Sequence, residues 1–247
     1  MTPGIAGRSS LGDNMQRRLF IAGALATMAT AGAQAQSFGR SQAADGVREA
    51  LDQAARLATR RLGVVDGYWG DPQVRIDLPR SVSRLQSTLR PLGMSGQLDN
   101  LELGLNRAAE SAMPEAREIF LSVIRGMTVR DAVDIVGGSD TAATDYLRRR
   151  SGSRLASMLE PPMENAMGDA GVYRTLNRIE PHVNRGNDLL SRFGLGSVSS
   201  DDLAGSLRDH AVEKTLDGVF YYIGEEERAI RRDPLGQASS LLRRVFG

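Results

Sequence analysis

The chain has 247 residues, of which 41% are apolar and 25% are charged, a composition that is typical of globular proteins and excludes a disordered chain. Its 31 basic and 30 acidic side chains nearly cancel. This balance argues against a nucleic-acid-binding protein, which would carry a basic stripe. Cysteine is absent, which excludes disulfides, thiolate catalysis, Cys-ligated metals and a lipid-modified Cys.

The N-terminal region has the order of a secretory signal peptide. A basic segment from Met15 to Arg18 precedes the apolar run 19–31 and the small-residue motif Ala33-Gln34-Ala35. The run is too short for a membrane-spanning helix, which needs about 20 apolar residues. We therefore expect cleavage near Ala35 and a periplasmic mature protein without an integral membrane segment. Residues 1–14 have no leader features and precede an alternative start at Met15, which is consistent with a mis-called start.

The mature chain, residues 36–247, is predicted to be a single multi-helix globular domain of the all-α class. In the first predicted helix, Ala43 to Leu62, apolar residues recur at three- and four-residue spacing. The next stretch, 64–79, contains two Gly and two Pro residues and cannot be regular helix throughout. Within it, Gln73 to Leu78 is the nearest approach to the alternating pattern of a strand.

Helical spacing resumes over 81–93 and again over 97–112. Pro114 is predicted to begin a new helix, because proline is favoured in the first helical turn. This helix is expected to end at Gly126. Thr128-Val-Arg-Asp131 then has the spacing of a capping box, and the short helix that follows is expected to end at Gly137-Gly138.

The C-terminal half is also predicted to be helical. Ser139 or Asp140 is expected to cap a helix, and prolines are expected to interrupt the next two regions, at Pro161-Pro162 and at Pro181. The predicted helices are 139–147, 155–170, 172–193, 201–232 and 236–245. No repeat of fixed period is visible, which argues against a solenoid.

Three separated stretches resemble one known family. They are Asp66 to Pro79 (DGYWGDPQVRIDLP), Asn106 to Ala116 (NRAAESAMPEA), and the region from Leu216 (LDGVF) through Glu225-Glu-Glu227 to the closing Val245-Phe-Gly247. Together they resemble domain-of-unknown-function family 4197, a group of exported, helical, uncharacterised proteobacterial proteins. The resemblance covers about Val47 to Gly247 and implies a periplasmic helical protein, but it carries no activity or site residue. Some members carry a lipoprotein Cys, from which this chain departs.

Motifs for metal or cofactor chemistry are lacking. The chain has two His residues, His182 and His210, and neither stands in a zinc-binding His-Glu-x-x-His pattern. His210 and Glu213 stand three apart on a predicted helix, which favours a surface polar pair over two metal ligands. Gly-x-Ser-x-Gly, P-loop and dinucleotide fingerprints are absent. We therefore predict no metal and no cofactor.

The irregular segment contains the only Trp of the chain. Loops carry function disproportionately, so Tyr68, Trp69 and Asp71 are candidate ligand-binding residues. The competing interpretation is that the aromatic pair packs the helices together, as large aromatic side chains often do. Arg75 is likewise either an anion receptor or a structural ion-pair partner.

Glu227 is the most unusual carboxylate of the sequence. At about 100° per residue on a helix, it falls inside the apolar stripe formed by Leu216, Phe220, Ile223 and Ile230, whereas Glu225 points the opposite way. A carboxylate on a buried face requires a partner or a proton. Arg231, four residues on, is the nearest candidate, and Arg75 is a second. A buried structural ion pair and a catalytic or ligand-binding carboxylate both fit this pattern.

Two functions follow from these candidates. The first is a non-enzymatic envelope protein that binds a protein or small molecule through a groove beside the Trp69 segment. The second is an enzyme that uses Glu227 as a general acid or base. An enzyme needs an open pocket at Glu227 with a second converging polar group, whereas a structural pair is sealed. Peripheral membrane association through the C-terminal Leu241 to Phe246 is a weaker third reading.

Overall fold

A computed structural model describes residues 41–80, 82, 95–174 and 200–232. Within these ranges the chain is a single all-α globular domain and contains no strand. Five helices of eight residues or more lie there: α1 (41–62), α2 (Ser95–Arg125), α3 (Val129–Val136), α4 (Ala142–Asp169) and α5 (Ser200–Arg232). The predicted helices over 81–93, except Val82, over most of 172–193 and over 236–245 lie outside the described residues.

The boundaries of several elements agree with the sequence pattern. The helix predicted over 43–62 is α1, and the long helix predicted from Asp201 to Arg232 is α5. The predicted capping box is present, because Thr128 accepts from the Asp131 backbone N–H and the Asp131 side chain accepts from the Thr128 N–H. Residues 64–79 form turns and extended chain, and Gln73 to Leu78 is not a strand.

Proline does not interrupt the helices as predicted. Pro114 lies inside α2, and Pro161 and Pro162 lie inside α4. An internal proline costs about 3 kcal/mol because it removes a backbone hydrogen bond. The apolar stripe continues across each proline, with Met113 and Ala116 buried on α2. Burial of these long continuous faces outweighs the local cost.

The N-terminus of α4 also differs from the prediction. Neither Ser139 nor Asp140 caps it; Thr141 occupies the N-cap position and its side chain makes no capping hydrogen bond. The N–H groups of Ala143 and Thr144, in the first turn of α4, are instead satisfied by a side chain of α5, described below.

The core is built around α4, which packs against both α2 and α5. Phe120 of α2 and Phe220 of α5 meet edge to face, with ring centroids 5.6 Å apart. The short α3 reverses the chain between α2 and α4, so that the two long helices are antiparallel, with Gly104 against Ala166. No described helix has both the length and the apolar character to cross a membrane.

Candidate functional site

Residues 64–79 form a loop, called here the Trp69 loop, that is held by buried polar side chains of α2. Asn106 is fully buried and pairs with the extended backbone of Ile76. Its Nδ2 donates to the Ile76 carbonyl at 2.9 Å, and its Oδ1 accepts from the Ile76 N–H at 2.9 Å. One amide side chain thus satisfies both polar groups of a residue that has no strand partner.

Glu110, one turn further along α2, holds the other end of the loop. It is only 4% exposed. Its Oε1 accepts from the backbone N–H groups of Tyr68 and Trp69, both at 3.1 Å, and its Oε2 accepts from Arg107 at 2.7 Å. Glu110 is not among the site residues predicted from the sequence. It stands four residues after Asn106 and three before the buried Met113, and the helical phase used for Glu227 would have found it.

Tyr68 fills the core between the loop and α5. Its ring is fully buried, and its hydroxyl donates to the carbonyl of Thr215 at 2.8 Å. Burial, and secondarily the charge of Glu110, raise the pKa of Tyr68 far above its usual range. The backbone of α5 approaches the ring so closely that a Cβ added to Gly218 would lie 2.7 Å from the Tyr68 ring. Tyr68 therefore acts as a packing residue.

Trp69 is half-buried, and one face of its ring is covered. The guanidinium carbon of Arg75 lies 3.6 Å from the centre of the Trp69 ring. Arg75 also pairs with Glu102 of α2, at 2.9 Å between Nη2 and Oε1. Arg75 thus stacks on Trp69 and pairs with α2, and it is Arg231 that pairs with Glu227.

Asp71 ties the loop to α1 and α5. It accepts hydrogen bonds from the Tyr222 hydroxyl and from Arg61, the latter at 3.1 Å. Burial works against ionisation of Asp71, but the hydrogen bonds from Tyr222, Gln73 and Arg61 outweigh it and lower the pKa. Burial, followed by the bond to Asp71, raises the pKa of Tyr222 to about 12.

A cleft of about 700 Å³ lies between α2 and α4. No residue of the Trp69 loop lines it, and Arg107, one of its lining residues, contacts the loop at Asp66. Small residues form much of its wall, and amide, hydroxyl, guanidinium and carboxylate groups lie among them. The lining residues are Asn100, Gly104, Arg107, Ala108, Ser111, Pro162, Asn165, Ala166, Asp169 and Ala170.

Arg107 connects this cleft to the loop. Its Nη1 donates to Glu110 at 2.7 Å, and its Nη2 donates to Asp66 at 2.7 Å. Asp66 has a φ of 68°, in the left-handed region that non-glycine residues rarely adopt. The Arg107 guanidinium therefore holds the turn at Asp66 from the wall of the cleft.

Glu227 is buried, as the helical phase predicts, with 6% exposure. Its Oε1 accepts from the Ala143 N–H at 3.0 Å, and its Oε2 accepts from the N–H and hydroxyl of Thr144 at 2.8 and 2.7 Å. Arg231 pairs with Oε1 at 3.0 Å. Glu227 therefore caps the N-terminus of α4, where the helix dipole favours negative charge.

The surroundings of Glu227 leave little space for a substrate. The cavity beside it is about 20 Å³, roughly the volume of one water molecule. Apart from Glu227 and Arg231, its lining is aliphatic: Val47, Ala50, Leu51, Ala54, Ile135, Ala143 and Ile230. Every polar group that converges on Glu227 is a donor that serves to cap or pair it.

The candidate residues thus fall into two clusters. Tyr68, Trp69, Asp71 and Arg75 meet in the loop, whereas Glu227 and Arg231 join α5 to α3 and α4. Among residues 41–80, 95–174 and 200–232, no group of His, Asp and Glu has the arrangement of a metal site. His210 lies 3.0 Å from the carbonyl of Asp77, and His182 lies outside the described residues.

Parts of the three stretches that resemble a known family meet at this loop: the first is the loop itself, the second contains Asn106 and Glu110, and the third contains Gly218. Asn106 and Glu110 hold the loop backbone, and Thr215 and Gly218 receive Tyr68. The closing Val245-Phe-Gly247 lies outside the described residues. The model of a family described as protein of unknown function (DUF4197) matches residues 37–247. The chain belongs to this family. No curated protein and no solved structure matches the chain. The family membership accordingly brings no ligand or reaction to the cleft.

Proposed function

We propose that the protein is a non-enzymatic binding module of the cell envelope that takes a small molecule or a short segment of a partner in the cleft between α2 and α4. The observation that carries this proposal is the volume of the cleft, about 700 Å³, which lies in the range of ligand sites. The small residues of its wall allow close approach, and the polar groups among them provide specificity.

The construction of the Trp69 loop supports the same function. A buried amide, a buried carboxylate and an arginine of α2 satisfy backbone and side-chain groups of this loop, so its conformation is fixed. Here Asn106, Glu110 and Arg107 fix the backbone on the side that faces α2. Arg107 belongs both to this set of contacts and to the wall of the cleft, so the contacts preorganise one polar group of the site, which lowers the entropic cost of binding.

The enzyme hypothesis finds less support. A general acid or base must reach a substrate, yet both oxygens of Glu227 accept hydrogen bonds from α4 and one of them also pairs with Arg231. The cavity at Glu227 is also too small for a substrate. A capping carboxylate accounts for these contacts without catalysis.

Export and periplasmic location are part of this proposal. The support is the basic, apolar and Ala-x-Ala order of residues 15–35, together with a family match that begins at residue 37, after that segment. Intact mass spectrometry of the periplasmic fraction should give a mature chain that begins at Gln36. A cytoplasmic product that retains residues 19–31 would contradict this part of the proposal.

The binding function is tested by blocking the cleft. Ser111 lies exposed at its rim, and Ser111→Trp would fill it, whereas Ser153→Trp places the same side chain on an exposed part of α4 away from the cleft. Both variants and the native protein are purified from periplasm, and retained molecules are identified by native mass spectrometry. We expect molecules held by the native protein and by Ser153→Trp to be lost from Ser111→Trp. Identical retention by all three would reject the cleft as the binding site.

A further inference from the structure

The two ends of the cleft carry opposite charges. Gly104 and Ala166 face each other across the antiparallel helices, and Arg107 lies three residues beyond Gly104 in one direction. Asp169 lies three residues beyond Ala166 in the other direction. At about 1.5 Å per residue, Arg107 and Asp169 are therefore roughly 9 Å apart along the helix axes.

The Asp169 end favours a cation. Asp169 is the last residue of α4, where the helix dipole and the last free carbonyl groups are negative. Its carboxylate adds to this negative potential, and no ion pair to it is found in the part of the chain that the structure describes. An ammonium group placed here would satisfy the carboxylate and the helix terminus together.

The Arg107 end favours a carboxylate, but only by exchange. Arg107 already faces two carboxylates, Glu110, whose side chain is 5% exposed, and Asp66, whose side chain is 55% exposed. A third would leave uncompensated negative charge. A ligand carboxylate therefore takes the place of Asp66, the solvated partner, and the buried pair with Glu110 stays.

We infer that the cleft binds a short peptide with free termini, about three residues long, an inference that rests on the proposed function. The carboxylate of the peptide binds at Arg107 and its amine at Asp169. Three extended residues span roughly 10 Å, which is comparable with the offset of roughly 9 Å between Arg107 and Asp169 along the helix axes. Between them, Gly104, Ala108 and Ala166 let a peptide backbone approach closely.

The amides of the cleft fit the peptide groups of such a ligand. Asn100 and Asn165 are exposed there and make no hydrogen bond within the described residues. An Asn side chain can pair with both polar groups of an extended residue, as Asn106 does with Ile76 in this molecule.

The test uses trialanine and its blocked forms with the native mature protein. Isothermal titration calorimetry should detect trialanine binding, and N-acetyltrialanine and trialanine amide should each bind at least about tenfold more weakly, since each loses one charge-assisted contact. The emission of Trp69 should change with trialanine, because displacement of Asp66 loosens the turn that leads to Trp69. Equal binding of trialanine and both blocked forms, or no binding of trialanine at millimolar concentration, would overturn the inference.

Two variants assign the termini. Asp169→Asn should bind trialanine and N-acetyltrialanine equally, and Arg107→Gln should bind trialanine and trialanine amide equally. Asp169 is exposed, so its variant remains a test even if Arg107→Gln fails to fold. Failure with trialanine while Ser111→Trp still loses other molecules would leave the proposed function standing with a different ligand. Equal binding of trialanine by the native protein and Ser111→Trp would reject this cleft for both proposals.

Discussion

The two buried glutamates, Glu110 and Glu227, lie in different parts of the fold and have the same kinds of partner. Each accepts two backbone N–H groups and pairs with one Arg three or four residues away on its own helix. Glu227 caps a helix, whereas Glu110 fixes an irregular loop. The exposure of the Arg differs as well, at 15% for Arg231 and 37% for Arg107. Burial of a carboxylate therefore does not by itself indicate catalysis. The role of a buried carboxylate depends on the groups that it binds.

The largest effect is expected for Glu227→Ala. Loss of the Glu227 carboxylate leaves the N-terminus of α4 uncapped and Arg231 without its ion-pair partner. The free energy of unfolding should therefore fall by about 3 to 5 kcal/mol. Glu225→Ala is the matched control, because Glu225 is 44% exposed on the same helix. It should change stability by no more than about 0.5 kcal/mol. Urea denaturation compares the two, and similar midpoints would mean that Glu227 is solvated.

Glu110→Ala should lower the free energy of unfolding less than Glu227→Ala does, and it should disturb the Trp69 loop more. The buried Tyr68 N–H loses its acceptor, at about 1 to 3 kcal/mol, whereas the part-buried Trp69 N–H and the half-exposed Arg107 can be solvated. The sole Trp lies directly on the affected backbone. We expect the emission of Trp69 to shift in folded Glu110→Ala and to stay native in folded Glu227→Ala. A shift in both variants, or in neither, would remove the distinction between loop and helix anchoring.

How far the sequence predicts this arrangement differs between the two glutamates. Helical phase identifies Glu227 as buried and Arg231 as its partner, because both lie on one regular helix. It does not identify the acceptor role toward Ala143 and Thr144, which are more than 80 residues away in sequence. The same limit applies to the cleft, whose walls come from α2 and α4. Contacts within one helix follow from periodicity, whereas contacts between elements depend on packing that periodicity does not encode.

The prolines also show how tertiary packing limits prediction from the sequence. Pro114 and Pro161-Pro162 are predicted to divide helices, yet α2 and α4 run through them. Local propensity favours a break at each proline, and tertiary burial of the apolar face overrides it. The loop that was predicted to be irregular remains so, since no long apolar face runs through its glycines and prolines.

Gly218→Ala tests the contact between α5 and the loop. The added Cβ would lie 2.7 Å from the Tyr68 ring and 3.1 Å from the Val74 Cβ, so the loop must shift. We expect a loss of about 1 to 3 kcal/mol, as for other overpacked cores. Gly152→Ala is the control, since nothing lies within 4 Å of its added Cβ and alanine favours helix. That variant should be neutral or slightly more stable in the same denaturation experiment, and equal losses in both would refute the close approach.

The smallest effect is expected for Tyr222→Phe, which removes the hydrogen bond from α5 to Asp71. The loss should be about 1 kcal/mol near neutral pH, the usual net value of one hydrogen bond.

The pKa of Tyr222 is raised to about 12 by burial and by the bond to Asp71, against about 10 for an unfolded Tyr. Below about pH 10 both states keep the proton and the stabilisation is complete. Between about pH 10 and 12 the unfolded chain ionises first, so stability falls as the pH rises. Tyr222→Phe should therefore reduce this alkaline slope in urea titrations. The pKa of Tyr173 is also raised to about 12, by its bond to Glu164 and then by burial, and burial raises the pKa of Tyr68 far above its usual range, so part of the slope should remain. A slope that is unchanged in Tyr222→Phe would show that the loop does not hold the neutral form of this Tyr, and that its attachment to α5 rests on the contact between Tyr68 and Gly218.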